Sequence, residues 1–129
     1  MIVTFDYDAT YNGPSMPVVE ATLKNPVTAL SVTVQGVLVD SGADGTVAPL
    51  QLLRQIQARR VDTVNMRQLR GPVYRVDVYE VELQIGAFQV PKAHVVAAPQ
   101  NVGVILGRNV LNQFIVTLNG LASVVEISQ

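Results

Sequence analysis

Gly36-Val37-Leu38-Val39-Asp40-Ser41-Gly42-Ala43-Asp44-Gly45-Thr46-Val47 carries an apolar strand straight into Asp-Ser-Gly-Ala and on into a second short apolar segment. A carboxylate at the end of a buried strand is costly, because burial disfavours its charged form unless partners compensate. Gly42 lets the backbone turn tightly beside it, and Ser41 brings a hydroxyl for local hydrogen bonds. Asp, Ser and Gly are also ordinary turn residues, so the triplet alone reads as a strand followed by an Asx-type turn. The apolar runs on both sides favour a functional carboxylate, and a second motif adds to the case.

That second motif is Val102-Gly103-Val104-Ile105-Leu106-Gly107-Arg108-Asn109-Val110-Leu111-Asn112. With Asp40-Ser41-Gly42-Ala43-Asp44-Gly45-Thr46-Val47 before it, the pair resembles the retropepsin-like aspartic proteases, which include retroviral proteases and their bacterial and cellular relatives. Those proteins carry Asp-Thr/Ser-Gly-Ala, often continued as Ala-Asp-x-Thr-Val. Later they carry two apolar residues, Gly, Arg-Asp/Asn and a short helix. The resemblance covers about residues 16 to 127. It implies an all-β fold, a closed β-barrel of the retropepsin-like acid protease type with two short helices, working as a homodimer.

The bulk composition narrows the alternatives. At 129 residues the chain is one domain, residues 1–129, able to bury a modest core. Apolar residues make up 49% and charged residues 15%, so part of the apolar surface is expected to be covered by a partner. A net charge of -1 and scattered arginines argue against nucleic acid. There is no cysteine, which removes thiolate nucleophiles, zinc-thiolate sites and disulfides. The single histidine, His94, disfavours multi-histidine metal sites and most His-dependent triads, and reads as a half-exposed strand residue. No metal or cofactor is expected. Met1-Ile2-Val3-Thr4-Phe5-Asp6-Tyr7-Asp8 lacks the basic and apolar regions of a signal peptide, and no apolar run reaches membrane-span length. The expectation is a cytoplasmic protein with no membrane partner.

Periodicity places the motifs on strands. Residues 1–8, 18–23, 30–39, 61–66, 73–85, 88–97, 114–118 and 121–127 read as strands, with a short extended piece at Val47-Ala48. Pro49 suits the first turn of a helix over 49–58, and residues 108–113 form a second short helix. Pro91 places its part of the strand on an edge or at a strand start. Asn119-Gly120 is a two-residue hairpin signal.

An aspartic protease needs two carboxylates close enough to share a proton and hold a water between them. This chain has one Asp-Ser-Gly loop. Counting loops therefore calls for a second copy, with Asp40 of each subunit meeting on a two-fold axis. By resemblance, Asp40 is the catalytic residue, supported by Ser41, Gly42 and Ala43. Ser41 would bond across the axis, and Gly42 would offer its carbonyl to the substrate backbone. Asp44 and Arg108 would form a bidentate clip from the loop to the C-terminal helix. Residues 67–74 would be the flap, with Leu69 and Tyr74 touching substrate or folding back on the body. It has one glycine, Gly71, where retroviral flaps have several. Val47, Ile105 and Leu106 read as apolar subsite walls or as core. The terminal strands are expected to pair across the dimer interface.

The function implied is hydrolysis of peptide bonds in extended, mostly apolar polypeptide segments. A catalytically silent peptide-binding or dimerisation module with the same fold is the main rival. A structural β-barrel with Asp40 as a mere turn residue is a second, disfavoured because it would not require the Ile105-to-Leu111 motif.

Overall fold

The computed structural model describes residues 1–67, 70–99 and 102–129. The chain is mostly β, with two small helices: β1 (Ile2–Asp6), β2 (Val18–Lys24), β3 (Ser31–Val39), β4 (Thr46–Pro49), α1 (Leu50–Gln55), β5 (Arg59–Arg67), β6 (Val73–Ile85), β7 (Phe88–Ala98), β8 (Ile105–Leu106), α2 (Arg108–Leu111), β9 (Ile115–Asn119) and β10 (Val124–Ser128). Strand alternation sorts the side chains. In β2, Val19, Ala21 and Leu23 point into the core, while Glu20, Thr22 and Lys24 face outward or lie at the margin.

Seven strands form one sheet in the order β2-β3-β8-β4-β7-β6-β5. A further ladder, Thr22↔Gln84 to Lys24↔Glu82, joins β2 to β6, so the sheet curls round on itself. The β3–β8 and β4–β7 ladders are parallel and the rest antiparallel. Leu23, Leu53, Ile56, Leu83, Ile85 and Leu106 are fully buried inside it. A second sheet, β1-β10-β9, adds Val125 and Ile127 to the same core. The join is close at the Gly86-Ala87 turn. Gly86 has a φ of +58°, and a Cβ there would strike the Val3 side chain. Among the described residues no helix is long and apolar enough to cross a membrane.

Several local expectations change. Pro49 ends β4, with φ -57° and ψ 136°, and stands before the helix rather than in its first turn. α1 stops at Gln55 because Asn25 Nδ2 donates to the carbonyls of Ile56 and Gln57, at 3.2 and 2.8 Å, and holds the helix end there. α2 covers only Arg108–Leu111. Pro91, by contrast, sits as expected on an edge: it lies in a stretch of β7 that pairs with β6 alone, beside a register shift, and that β4 does not reach. The β9–β10 connection is four residues long, not two: Ser123 has a φ of 55°, and Asn119 Oδ1 accepts from the Ala122 N–H.

The terminal strands come together within the chain. β1 pairs with β10 of its own chain over Ile2↔Ser128 to Asp6↔Val124, and β10 pairs with β9 along its other edge. Both edges of β10 are therefore filled within the single chain.

Candidate active site

β8 is a two-residue strand flanked by β3 and β4, and the loop joining those two strands crosses its end. The pairs Leu38↔Ile105 and Val39↔Leu106 place β8 beside the strand that leads to Asp40. The Asp40 N–H donates to the Leu106 carbonyl at 3.1 Å, so the ladder continues into the first residue of the loop. Asp40 is half-buried, and Ser41 and Gly42 are exposed. One carboxylate oxygen of Asp40, Oδ1, accepts the Gly42 N–H at 2.9 Å, and the Ala43 N–H donates to the Asp40 carbonyl at 3.2 Å. These bonds aim the carboxylate and leave Oδ2 without a protein donor among the described residues.

The loop is held from the other side by the start of α2. The backbone N–H groups of Arg108 and Asn109 donate to the carbonyls of Ala43 and Asp44 at 2.9 and 3.3 Å. They would otherwise be unpaired at a helix start. The Arg108 side chain reaches the same loop, but not as a bidentate carboxylate clip. Nη2 donates to Asp44 Oδ1, while Nη1 donates to the Ser41 carbonyl at 2.9 Å. The guanidinium fork thus spans the loop instead of gripping one carboxylate. Asp44 is 93% exposed and Arg108 44%, so the ion pair itself adds little stability. Asp44 is turned to Arg108 and does not partner Asp40.

Two polar residues at the centre were given no role in the sequence reading. Thr46 is 1% exposed; its hydroxyl donates to Asn109 Oδ1 at 2.8 Å and accepts the Gly107 N–H at 3.1 Å. Asn109 Nδ2 continues the chain to the His94 carbonyl at 2.9 Å. The signal was in the quoted motifs, since a threonine expected inside a β core needs partners for its hydroxyl. Thr46→Val is expected to lose about 2 kcal/mol in urea unfolding, because it strands the Gly107 N–H and Asn109 Oδ1 together. Thr46→Ser should recover most of the loss; equal stability of wild type and Thr46→Val would mean that the network is slack. The His94 side chain is 59% exposed, with Nε2 3.7 Å from Glu80 Oε2, and stays outside this network.

Next to the strands that flank the loop lies a cleft of about 420 Å³, lined by Val47, Met66, Arg67, Tyr74, Val76 and Ile105 among others and by none of residues 40–45. Val47 and Ile105, cross-strand partners, supply its floor. Tyr74 lines it from the β5–β6 hairpin, its hydroxyl 3.6 Å from Met66 Sδ on the facing strand. Leu106 is fully buried in the core and forms no wall, because alternation along β8 turns it away from the side Ile105 occupies. Leu69 lies outside the described residues.

The profile of the family described as "gag-polyprotein putative aspartyl protease" matches residues 30–113, from just before β3 to just beyond α2. No match was found among curated proteins. Among solved structures, a retropepsin-like aspartic protease from Rickettsia conorii aligns over 98% of this chain and 91% of its own, with a TM-score of 0.63 and 10% identity. The EIAV protease complexed with the inhibitor HBY-793 aligns over 81% and 93%, at 0.52 and 20%. The foamy viral protease-reverse transcriptase aligns over 77% of this chain and 16% of its own, at 0.50 and 18%. At these identities the structural likeness speaks to the fold.

Proposed function

This chain belongs to the gag-polyprotein aspartyl protease family, and on that premise we propose that it is a homodimeric aspartic endopeptidase built on a closed β-barrel. The observation that carries the proposal is the Asp40 carboxylate, fixed at the end of a core strand by the Gly42 N–H, with Val47 and Ile105 of the adjoining strands lining a mostly apolar cleft. One chain supplies one such loop, so the second carboxylate comes from a second copy. Two carboxylates that close cannot both ionise cheaply; one holds a proton and the pair binds a water. The ionised group takes a proton from that water as it attacks the scissile carbonyl. The protonated group donates to the carbonyl oxygen, and a proton passes to the leaving amine as the bond breaks.

The chain's own residues serve this chemistry in distinct ways. Gly42 N–H orients the base, and Arg108 with the α2 backbone keeps the loop from shifting when substrate binds. Ser41 is exposed beside Asp40, and in this reading its hydroxyl bonds across the axis. Val47, Ile105 and Tyr74 receive apolar side chains of an extended polypeptide, and the β5–β6 hairpin covers it and excludes water.

The test is digestion of denatured casein from acid to neutral pH, with and without a transition-state inhibitor of aspartic proteases, alongside sedimentation. Inhibitor-sensitive cleavage by a species of twice the chain mass is expected. A folded dimer that cuts nothing at any pH would favour the silent binding module.

A further inference from the structure

We propose that the substrate cleft has a second lobe, next to α1, that takes an acidic side chain of the polypeptide and reads it with Arg54 and Arg75. This rests on the endopeptidase reading and adds a charge requirement to what had been an apolar one. The cleft exists because two strand pairs separate. β6 and β7 are laddered only from Val78↔Val96 inward, while β6 continues out to Val73 paired with β5, and β7 continues to Ala98 paired with β4. The gap between the two arms opens into two lobes that share Tyr74 and Val76 on one wall and Ala97, Ala98 and Pro99 on the other. One lobe is the mostly apolar cleft next to the strands that flank the Asp40 loop. The other, of about 550 Å³, is bounded by Leu50, Gln51 and Arg54 of α1 and by Arg75 and Asp77 of β6.

The charge in this second lobe is unbalanced. Asp77 is already engaged, with Arg60 Nη1 at 3.7 Å and the Thr63 hydroxyl at 3.1 Å. Arg54 and Arg75 have no carboxylate within 4.0 Å among the described residues, and neither does Arg67, which lines the neighbouring apolar lobe. By contrast Lys24, Arg59, Arg60 and Arg108 are each paired, to Glu82, Glu80, Asp77 and Asp44. Of the five cations without a carboxylate partner among the described residues, Arg54, Arg67 and Arg75 line the two lobes, while Arg70 and Lys92 line neither. A guanidinium suits a carboxylate, which it can take through two parallel N–H bonds. The β6 edge from 73 to 77, paired with β5 alone, also faces this gap, so an extended segment can pair with it and carry its side chains past both arginines.

The test uses fluorogenic peptides with a constant apolar centre and a single Glu, Gln or Lys moved along the flanking positions. At one or two positions Glu is expected to raise kcat/KM about tenfold over Gln at low salt, with the ratio shrinking as salt rises. Arg54→Gln/Arg75→Gln should bring that ratio to about one, and Arg54→Glu/Arg75→Glu should invert it in favour of Lys, which lost packing alone would not do. Affinities of the same peptides for Asp40→Asn protein read the lobe without catalysis. Equal cleavage of Glu and Gln peptides, or a preference that survives the double substitution, overturns the lobe and leaves the protease reading standing. Arginine-dependent preference in binding with no cleavage by wild type keeps the lobe and overturns the protease reading.

Discussion

Asp40→Asn is expected to lower cleavage at least about a thousandfold while the protein still folds and associates as wild type does. The substitution keeps the atom that structures the loop. An asparagine Oδ1 still accepts the Gly42 N–H, as the carboxylate does at 2.9 Å, and the residue is nearly isosteric. What it removes is the charge and the capacity to take or hold a proton, and in a homodimer it removes them twice. Activity would be read as initial rates on casein and on a peptide, and folding as the melting temperature. An active Asp40→Asn protein would place the chemistry elsewhere and end the proposal.

Mixing gives the sharper form of this experiment. If each subunit supplies one carboxylate, refolding equal amounts of wild-type and Asp40→Asn chains leaves about a quarter of the dimers with two native loops. Activity per wild-type chain should then fall to about half. A chain that carried both catalytic groups would keep its full rate in the mixture.

The strands were legible where local chemistry and tertiary context agree. β6 runs from Val73 to Ile85 as its apolar pattern predicts, because Gly71-Pro72 and Gly86-Ala87 bound it with residues that turn. The sequence also contained the two motifs that meet at Asp40, and the order of their residues carried the family. The misreadings came where a distant residue decided the outcome. α1 ends early because Asn25, far back in the chain, captures the carbonyls at its end. The Arg108 fork divides between a carboxylate and a main-chain carbonyl, and no spacing rule reports a main-chain partner. Leu106 and Ile105 are neighbours of equal hydrophobicity, and only the pleat of a two-residue strand sends one into the core and the other to the cleft. The charge in the α1 lobe was invisible for the same reason, since Arg54 of α1 and Arg75 of β6 line one lobe only after β6 and β7 part.

Gly107→Ala is expected to lower the melting temperature by about 10–20 °C and to take activity with it. The cause is contact and not backbone conformation. Gly107 has φ -95° and ψ -178°, an extended geometry open to any residue. A Cβ built there, however, would lie 2.9 Å from the Gly45 Cα and closer still to the Gly45 carbonyl group. All three atoms belong to the backbone, so no side chain can swing aside and the active loop itself must lift. Lifting it strains the Gly107 N–H bond to Thr46 and the bonds from the Arg108 and Asn109 N–H groups to Ala43 and Asp44. Overpacking at about 1–3 kcal/mol together with two or three weakened hydrogen bonds gives about 3–5 kcal/mol, a large share of a small domain's stability. At about 4 °C per kcal/mol for a chain of this size, that is the shift given. Gly45→Ala is the control, because a Cβ on that side of the same contact meets nothing within 4 Å and should be tolerated. Equal melting of Gly107→Ala and Gly45→Ala would mean that the loop and the α2 motif do not touch here, and the geometry that fixes Asp40 would have to be sought in another part of the fold.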